Sequence, residues 1–364
     1  MGWRSLLTIL ALLGAVGLGD EVTLSDGTVV RGKIVLAKQD GPIFVQLANR
    51  GMKVLQRDQV AEVQRDEGPR TAIRMCRYSA RWSRLEVLTR TFAGPDGKRV
   101  ALVGAVHIGD PRYYGRMQTI LDRHDAVLFE GVGAEHPGDL SRATIPAPEA
   151  RAQELAALPP RELPEGLELE GGLDALSLLQ TSMAETLELG FQRDEVDYRR
   201  SWWFAADVNL EELAKLFPDG PAAAIVENMA AESLNPRRQA AMNKLVARTL
   251  AAAAKGLFGP KPLQLVLKEA CAELLASQFA QEPGADPDTE EHSAFDTALI
   301  VERNKVVIER LEAMLQNPAA RTIAIFYGAG HNPDLEQRLV GLGYSPVADE
   351  WVPAWTMEVP AEGE

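Results

Sequence analysis

Two hydrophobic patterns run along this chain, and they divide it in two. From Asp20 to about Glu67 the apolar residues come in short alternating runs, as in EVTLSDGTVVRGKIVLAK and IFVQL. Asp26-Gly27, Asp40-Gly41 and Arg50-Gly51 separate these runs and are turn-forming pairs. Four or five strands in so short a stretch predict a small SH3-like β-barrel over residues 20–66. RDEGPR, residues 65–70, reads as a linker. Beyond it, Leu85–Phe92, Arg99–Val106, Ala126–Glu130 and Thr322–Tyr327 read as strands, and helical periods fill most of the rest. Val100 to Val106 is apolar or small throughout, as a strand buried on both faces requires. The expected class is α/β: a central mixed sheet flanked by helices over residues 71–358.

Three other stretches break these patterns. Residues 135–166 are rich in Pro and Glu, follow a strand directly, and read as a loop or cap over a site. Residues 221–279 are rich in Ala and Leu and read as two or three packed helices. Residues 1–19 carry Arg4 and then an apolar run ending in Gly17-Leu18-Gly19. That run is shorter than a span of about 20 residues, so it reads as an export signal. The expected location is outside the cytoplasm: periplasmic, secreted, or held at the membrane by an uncleaved signal.

Composition narrows the function. A hydrophobic fraction of 46% allows a sizeable core, and a formal net charge of -14 argues against nucleic acid as a partner. Peripheral membrane association and a protein partner for the small barrel stay open. There are two cysteines, Cys76 and Cys271, and no C-x-x-C, so a thiolate zinc site is excluded and a disulfide is left open.

The candidate chemistry lies where three strands end. VALVGAVHIGDP stops at His107, DAVLFEGVG at Glu130, and RTIAIFYGAGHNPDLEQRL at His331. Asp110-Pro111 and Asn332-Pro333 follow the two histidines as helix-start signals. One histidine at a strand end is ordinarily a satisfied polar residue. Here G-x-x-H is repeated, Gly104 to His107 and Gly328 to His331, with a glutamate at a third strand end. The carboxyl edge of an open α/β sheet is where ligands bind. Two imidazoles and a carboxylate there suit a divalent metal that acidifies a water and polarises a carbonyl. In TALIVERNKVVIERLEAML, Arg303 and Asn304 interrupt an apolar helical stripe and so need buried partners. Arg303 reads as a substrate clamp, as support for the metal shell, or as a structural hub.

These motifs resemble the TraB/PrgY/GumN family, which includes the Tiki proteins. The resemblance covers roughly Thr71 to Pro353 and rests on the order of the motifs: G-x-x-H, the glutamate, the Arg-Asn pair, and FYGAGH followed by LEQRLVGLGY. It implies an α/β core shared with erythromycin-esterase-like and ChaN-like proteins. It also implies a metal-dependent protease in which two G-x-x-H histidines and one glutamate are essential, here His107, His331 and Glu130. An aromatic stretch leading into Ala-Asp is a further match and makes Asp207 a candidate, or else Asp207 or Asn209 caps the next helix. No H-E-x-x-H is present, so an ordinary zincin is excluded.

The expectation is an exported hydrolase acting on a peptide or a small amide or ester. Mn, Co or Zn would be held by His107, Glu130 and His331, with Arg303, Asn304 and Asp207 around them. Glu130 is ligand or general base; the sequence does not choose. The alternatives are a protein that binds a peptide or heme-like ligand without turnover, and a surface interaction protein built on a degenerate enzyme.

Overall fold

The computed structural model describes residues 20–38, 41–47, 51–64, 72–79, 81–132, 134, 137–159, 184, 187–216, 263–278 and 297–359. The expected export segment, the linker at 65–70 and residues 221–262 lie outside them, as do His136 and His292, which read in the sequence as surface residues in polar loops.

Five strands come first: β1 (Asp20–Leu24), β2 (Val29–Lys38), β3 (Ile43–Gln46), β4 (Met52–Leu55) and β5 (Val60–Gln64). They pair antiparallel in the order β5-β1-β2-β3-β4, and one 3-10 turn, Arg57–Gln59, precedes β5. Alternation places Val22, Val30, Ile34, Ile43, Val45 and Leu55 in one small core.

The remaining strands are β6 (Ile73–Ser79), β7 (Trp82–Ala93), β8 (Arg99–Ala105), β9 (Ile108–Gly109), β10 (Ala126–Phe129), β11 (Gly190–Phe191), β12 (Trp203–Ala205), β13 (Thr322–Gly328) and β14 (Ser345–Glu358). The described helices are α1 (Pro111–Leu121), α2 (Pro148–Ala157), α3 (Leu210–Leu216), α4 (Leu263–Gln278), α5 (Arg303–Leu315) and α6 (Asn332–Gly341), besides a single turn at Gln192–Glu195. The class is mixed α/β, as expected. The central sheet runs β12-β10-β13-β8-β7-β14 and continues into β2, which pairs with β14 at Leu36 to Lys38. Its first four strands are parallel and the others antiparallel.

Burial on both faces explains why the parallel strands read as unbroken apolar runs. One face carries Val103, Val127 and Phe326 against Tyr114, Met117 and Leu121 of α1. The other carries Leu102, Leu128 and Ile325 against Val307 and Leu311 of α5 and Leu335 of α6. β14 is the long strand that the hydrophobic pattern hides. It holds three acidic residues and two prolines, but its register against β7 shifts at Pro346/Ala348 and Pro353/Trp355. Bulges accept prolines because they break the ladder there.

The small sheet and the central sheet are also joined by a buried ion pair. Glu86 in β7 is fully buried, and one of its oxygens accepts two hydrogen bonds from Arg74, at 2.8 and 2.9 Å. Its other oxygen accepts from Tyr78 at 2.5 Å, and Arg74 donates onward to the Ile34 carbonyl of β2. Burial and the Glu86 carboxylate push the Tyr78 phenol well above its usual range. Cys76 lies buried beside this cluster with its Sγ 3.5 Å from Glu86 Oε2, and no disulfide joins it to Cys271 among the described residues. Arg74→Ala strands the Glu86 carboxylate. A loss of about 3–5 kcal/mol is expected in urea unfolding, largely recovered in the Arg74→Ala/Glu86→Gln double variant.

Candidate functional site

All six sequence candidates come together at the carboxyl edge of the parallel strands. Glu130 follows β10, Asp207 lies just beyond β12, and His331 ends the 3-10 turn Ala329–His331 after β13. Arg303 and Asn304 open α5, which packs across that edge. His107 follows β8.

Arg303 is the centre of this group. It is only 5% exposed. One terminal nitrogen donates to Glu130 Oε1 at 2.6 Å and to Asp207 Oδ2 at 2.6 Å, while Nε donates to Asp207 Oδ1 at 2.9 Å. Burial works against the guanidinium charge, but the two carboxylates outweigh it and hold its proton more firmly than usual. Glu130 Oε2 accepts the Gly328 N–H at 2.8 Å. Burial raises the Glu130 pKa, yet Arg303, then the two imidazoles and the Gly328 N–H, outweigh it and hold Glu130 well below the usual carboxylate range. Asp207 also accepts the Gly131 N–H at 3.1 Å, tying the end of β12 to the end of β10.

Asn304 fixes His331. Its amide nitrogen donates to the His331 carbonyl at 3.2 Å and to Asp334 Oδ2 at 2.7 Å, both acceptors. Its Oδ1 must therefore accept from His331 Nδ1–H, 2.7 Å away. That leaves a lone pair on His331 Nε2, which faces Glu130 Oε1 at 3.8 Å. Burial pushes the His331 pKa down to about 4, so the ring is neutral at pH 7. Tyr327 packs edge-on against the ring, with centroids 5.2 Å apart, and donates to the Ala206 carbonyl at 2.6 Å.

The two G-x-x-H motifs look equivalent in sequence but do different things. β8 and β13 pair with Gly104 opposite Tyr327 and Ala105 opposite Gly328, an offset of one residue. Beyond the strands the paths also part, because Ala329–His331 winds into a 3-10 turn while His107 leads directly into β9. His331 is buried and His107 exposed. A Cβ on Gly104 would meet Asn332 Nδ2 at 2.9 Å and Val87 Cγ1 at 3.0 Å, so that glycine serves close packing. A Cβ on Gly328 would stand 3.4 Å from Glu130 Oε2, 3.7 Å from His331 Cδ2 and 4.0 Å from His107 Nε2. That glycine keeps the space among the three donors clear.

No family model, curated protein or solved structure matches this chain. The family resemblance therefore rests on the motifs quoted above.

In kind, the donors fit a divalent metal: two imidazoles, one held in the ligating tautomer by Asn304, and an ionised carboxylate. Two ligands on one tetrahedral ion stand about 3.3 Å apart, against 3.8 Å between His331 and Glu130. Among the described residues, no group of three His, Cys, Asp or Glu side chains is gathered closely enough to hold an ion. Arg303 is one reason, because it draws Glu130 Oε1 toward itself.

Two details depart from the sequence reading, and one agrees with an alternative it offered. Asn332 lies inside α6, and His331, not Asn332, is the residue before its first turn. Asp110 precedes α1 but makes no cap bond; its carboxylate instead accepts from Lys268 and from the Thr356 N–H. Asn209 does cap α3, exchanging hydrogen bonds with Glu212. Asp334 and Tyr327 belong to the site and were not singled out. Asp334 looks like an ordinary first-turn acid, and only the fold brings it to Asn304.

Two outcomes are expected. Between pH 6.5 and about 4 the unfolded chain binds a proton on residue 331 that the folded chain refuses. Stability therefore falls with pH through that window, by about 3 kcal/mol at its acid end. Chemical unfolding of EDTA-treated protein at pH 4 and pH 7 checks this, and His331→Gln should flatten the slope. Gly328→Ala adds a methyl at ordinary contact distances with backbone angles any residue adopts. It should shift stability by less than about 1 kcal/mol while abolishing binding of any ion or substrate in the gap, read by calorimetry.

Proposed function

We propose that these strand ends form the water-activating centre of a hydrolase that cleaves a peptide or a small amide or ester. One observation carries this reading: two acceptors, His331 Nε2 and Glu130 Oε1, face each other across 3.8 Å, with a glycine keeping the gap clear and an exposed imidazole beside it. Two facing acceptors need a species between them that offers hydrogens or positive charge. Arg303, Glu130 and Asp207 together carry one more negative than positive charge, which favours a cation.

Mn, Co or Zn would be held there by His107, Glu130 and His331. When bound, the ion supplies Lewis acidity toward a water and a substrate carbonyl. The chain's residues do the rest. Arg303 keeps Glu130 ionised, so Oε1 offers a lone pair and a negative charge to the ion without first losing a proton. Asn304, backed by Asp334, keeps the His331 lone pair aimed at the gap. His107, on the exposed side, is where substrate arrives. Arg303 and Asp207 are committed to protein partners, which supports a role in holding Glu130 over one in clamping substrate. The five N-terminal strands, ordered β5-β1-β2-β3-β4 with a 3-10 turn before the last, support an SH3-like barrel acting as a docking module, and residues 1–19 remain the proposed export signal.

The test uses mature protein purified without chelator or affinity tag. Metal content by mass spectrometry, after titration with Mn, Co and Zn, should show one ion per chain in wild type and none in His107→Ala/His331→Ala. Cleavage of chromogenic aminoacyl nitroanilides and nitrophenyl esters should fall at least about 100-fold in the same variant. Folded wild type that binds no ion and cleaves none of these substrates overturns the reading in favour of ligand binding without turnover.

A further inference from the structure

Next to the charged half of the site, on the other face of the sheet, lies an aromatic half that the proposed chemistry does not use. Phe129 directly precedes Glu130, and Phe326 stands opposite it on β13. Tyr198 packs on both, with ring centroids 5.1 Å from Phe129 and 6.4 Å from Phe326. Trp203 completes the group, 5.8 Å edge-on from Tyr198 and 6.5 Å from Phe326. Trp203 and Phe326 are buried, while Phe129 and Tyr198 are half-exposed, so the cluster reaches the surface.

Gln192 links this cluster to the site. Its backbone N–H donates to the His107 carbonyl at 2.7 Å, and its side-chain nitrogen donates to the Tyr198 hydroxyl at 3.0 Å. Among the described residues its Oε1 has no partner, although Gln192 is only 7% exposed. Trp203 Nε1, a donor, is another of the buried polar atoms that lack a partner among the described residues. Buried polar groups are almost always paired, so each unpaired one calls for an explanation. An acceptor and a donor left unpaired in one aromatic cluster complement a secondary amide, which has one N–H and one C=O. Arg200, the one cation over these rings among the described residues, is 6.0 Å from the Trp203 ring and already paired with Asp122 and Asp197. The cluster therefore favours an uncharged group.

We infer that this cluster is the specificity subsite: it takes an aromatic or bulky apolar side chain of an acylated amino-acid unit, whose N–H donates to Gln192 Oε1. That the scissile carbonyl follows this unit rests on the hydrolase reading above; the subsite itself does not.

Calorimetry with three small amides tests it without requiring turnover. N-acetyl-L-phenylalaninamide supplies the ring and the N–H, N-acetyl-L-alaninamide lacks the ring, and 3-phenylpropionamide lacks the acylated N–H. Wild type should bind the first at least about ten-fold more tightly than either of the others. Gln192→Met should erase the preference over 3-phenylpropionamide and keep the preference over the alanine compound. Equal binding of all three by folded wild type, or no binding of any, overturns the inference. Selective binding with no cleavage of the matching phenylalanine nitroanilide supports the subsite and counts against the hydrolase.

Discussion

The site depends on a single buried guanidinium. Arg303 receives two carboxylates that arrive from different strands, Glu130 after β10 and Asp207 after β12, and it comes itself from the first turn of α5. Bringing three charges out of water costs several kcal/mol per ion before they meet. The cost is offset because the remaining lone pairs are also used. Gly328 and Gly131 donate backbone N–H groups to the two carboxylates; Gly328 is the last residue of β13 and Gly131 lies just past β10, where these amides are not taken by the ladder. The same arrangement removes Glu130 as a proton donor and makes it a permanent negative charge. Everything chemical that follows is built around that charge.

The path of the chain after each G-x-x-H glycine then sets the shape of the site. β13 turns at once into the 3-10 helix Ala329–His331 and buries that imidazole, whereas His107 lies exposed between β8 and β9, and both rings approach the space over Gly328. The result is an asymmetric pair: one imidazole with fixed orientation and a suppressed proton affinity, and one that is accessible. Gly328 lies between them and leaves the space open, whereas Gly104 is consumed by packing against Asn332 and β7.

Much of this was legible in the sequence, for definite reasons. The parallel strands were visible because burial on both faces leaves unbroken apolar runs, and their polar ends stood out against that background. Arg303 and Asn304 were visible because they interrupt a helical stripe that should be apolar. β14 was hidden because antiparallel pairing to β7 with one exposed side tolerates acids, and bulges tolerate prolines. β6 was hidden because two arginines interrupt its run IRMCRYS without a period of two, and it is the cross-strand Glu86 that gives Arg74 its partner. His124 reads as a surface residue, yet its Nδ1 lies 2.9 Å from the Ile120 carbonyl and burial pushes its pKa down. Asp334 and Gln192 could not be found in sequence at all, since their roles are set by neighbours 30 and 85 residues away.

The electrostatics also bear on whether His331 acts as base or ligand. An imidazole that protonates only near pH 4 is a weak general base at neutral pH, because it holds an abstracted proton poorly. The same property suits it as a ligand, since it has no proton to lose before a cation binds. Asn304 strengthens that role by holding Nδ1–H and turning Nε2 outward, as partners of metal-bound histidines do. Glu130 is held lower still, so by the same test it keeps an abstracted proton no better, while each of its oxygens retains a lone pair beside the donor it already holds. The electrostatics therefore suit both residues to holding a cation, with Arg303 keeping Glu130 ionised.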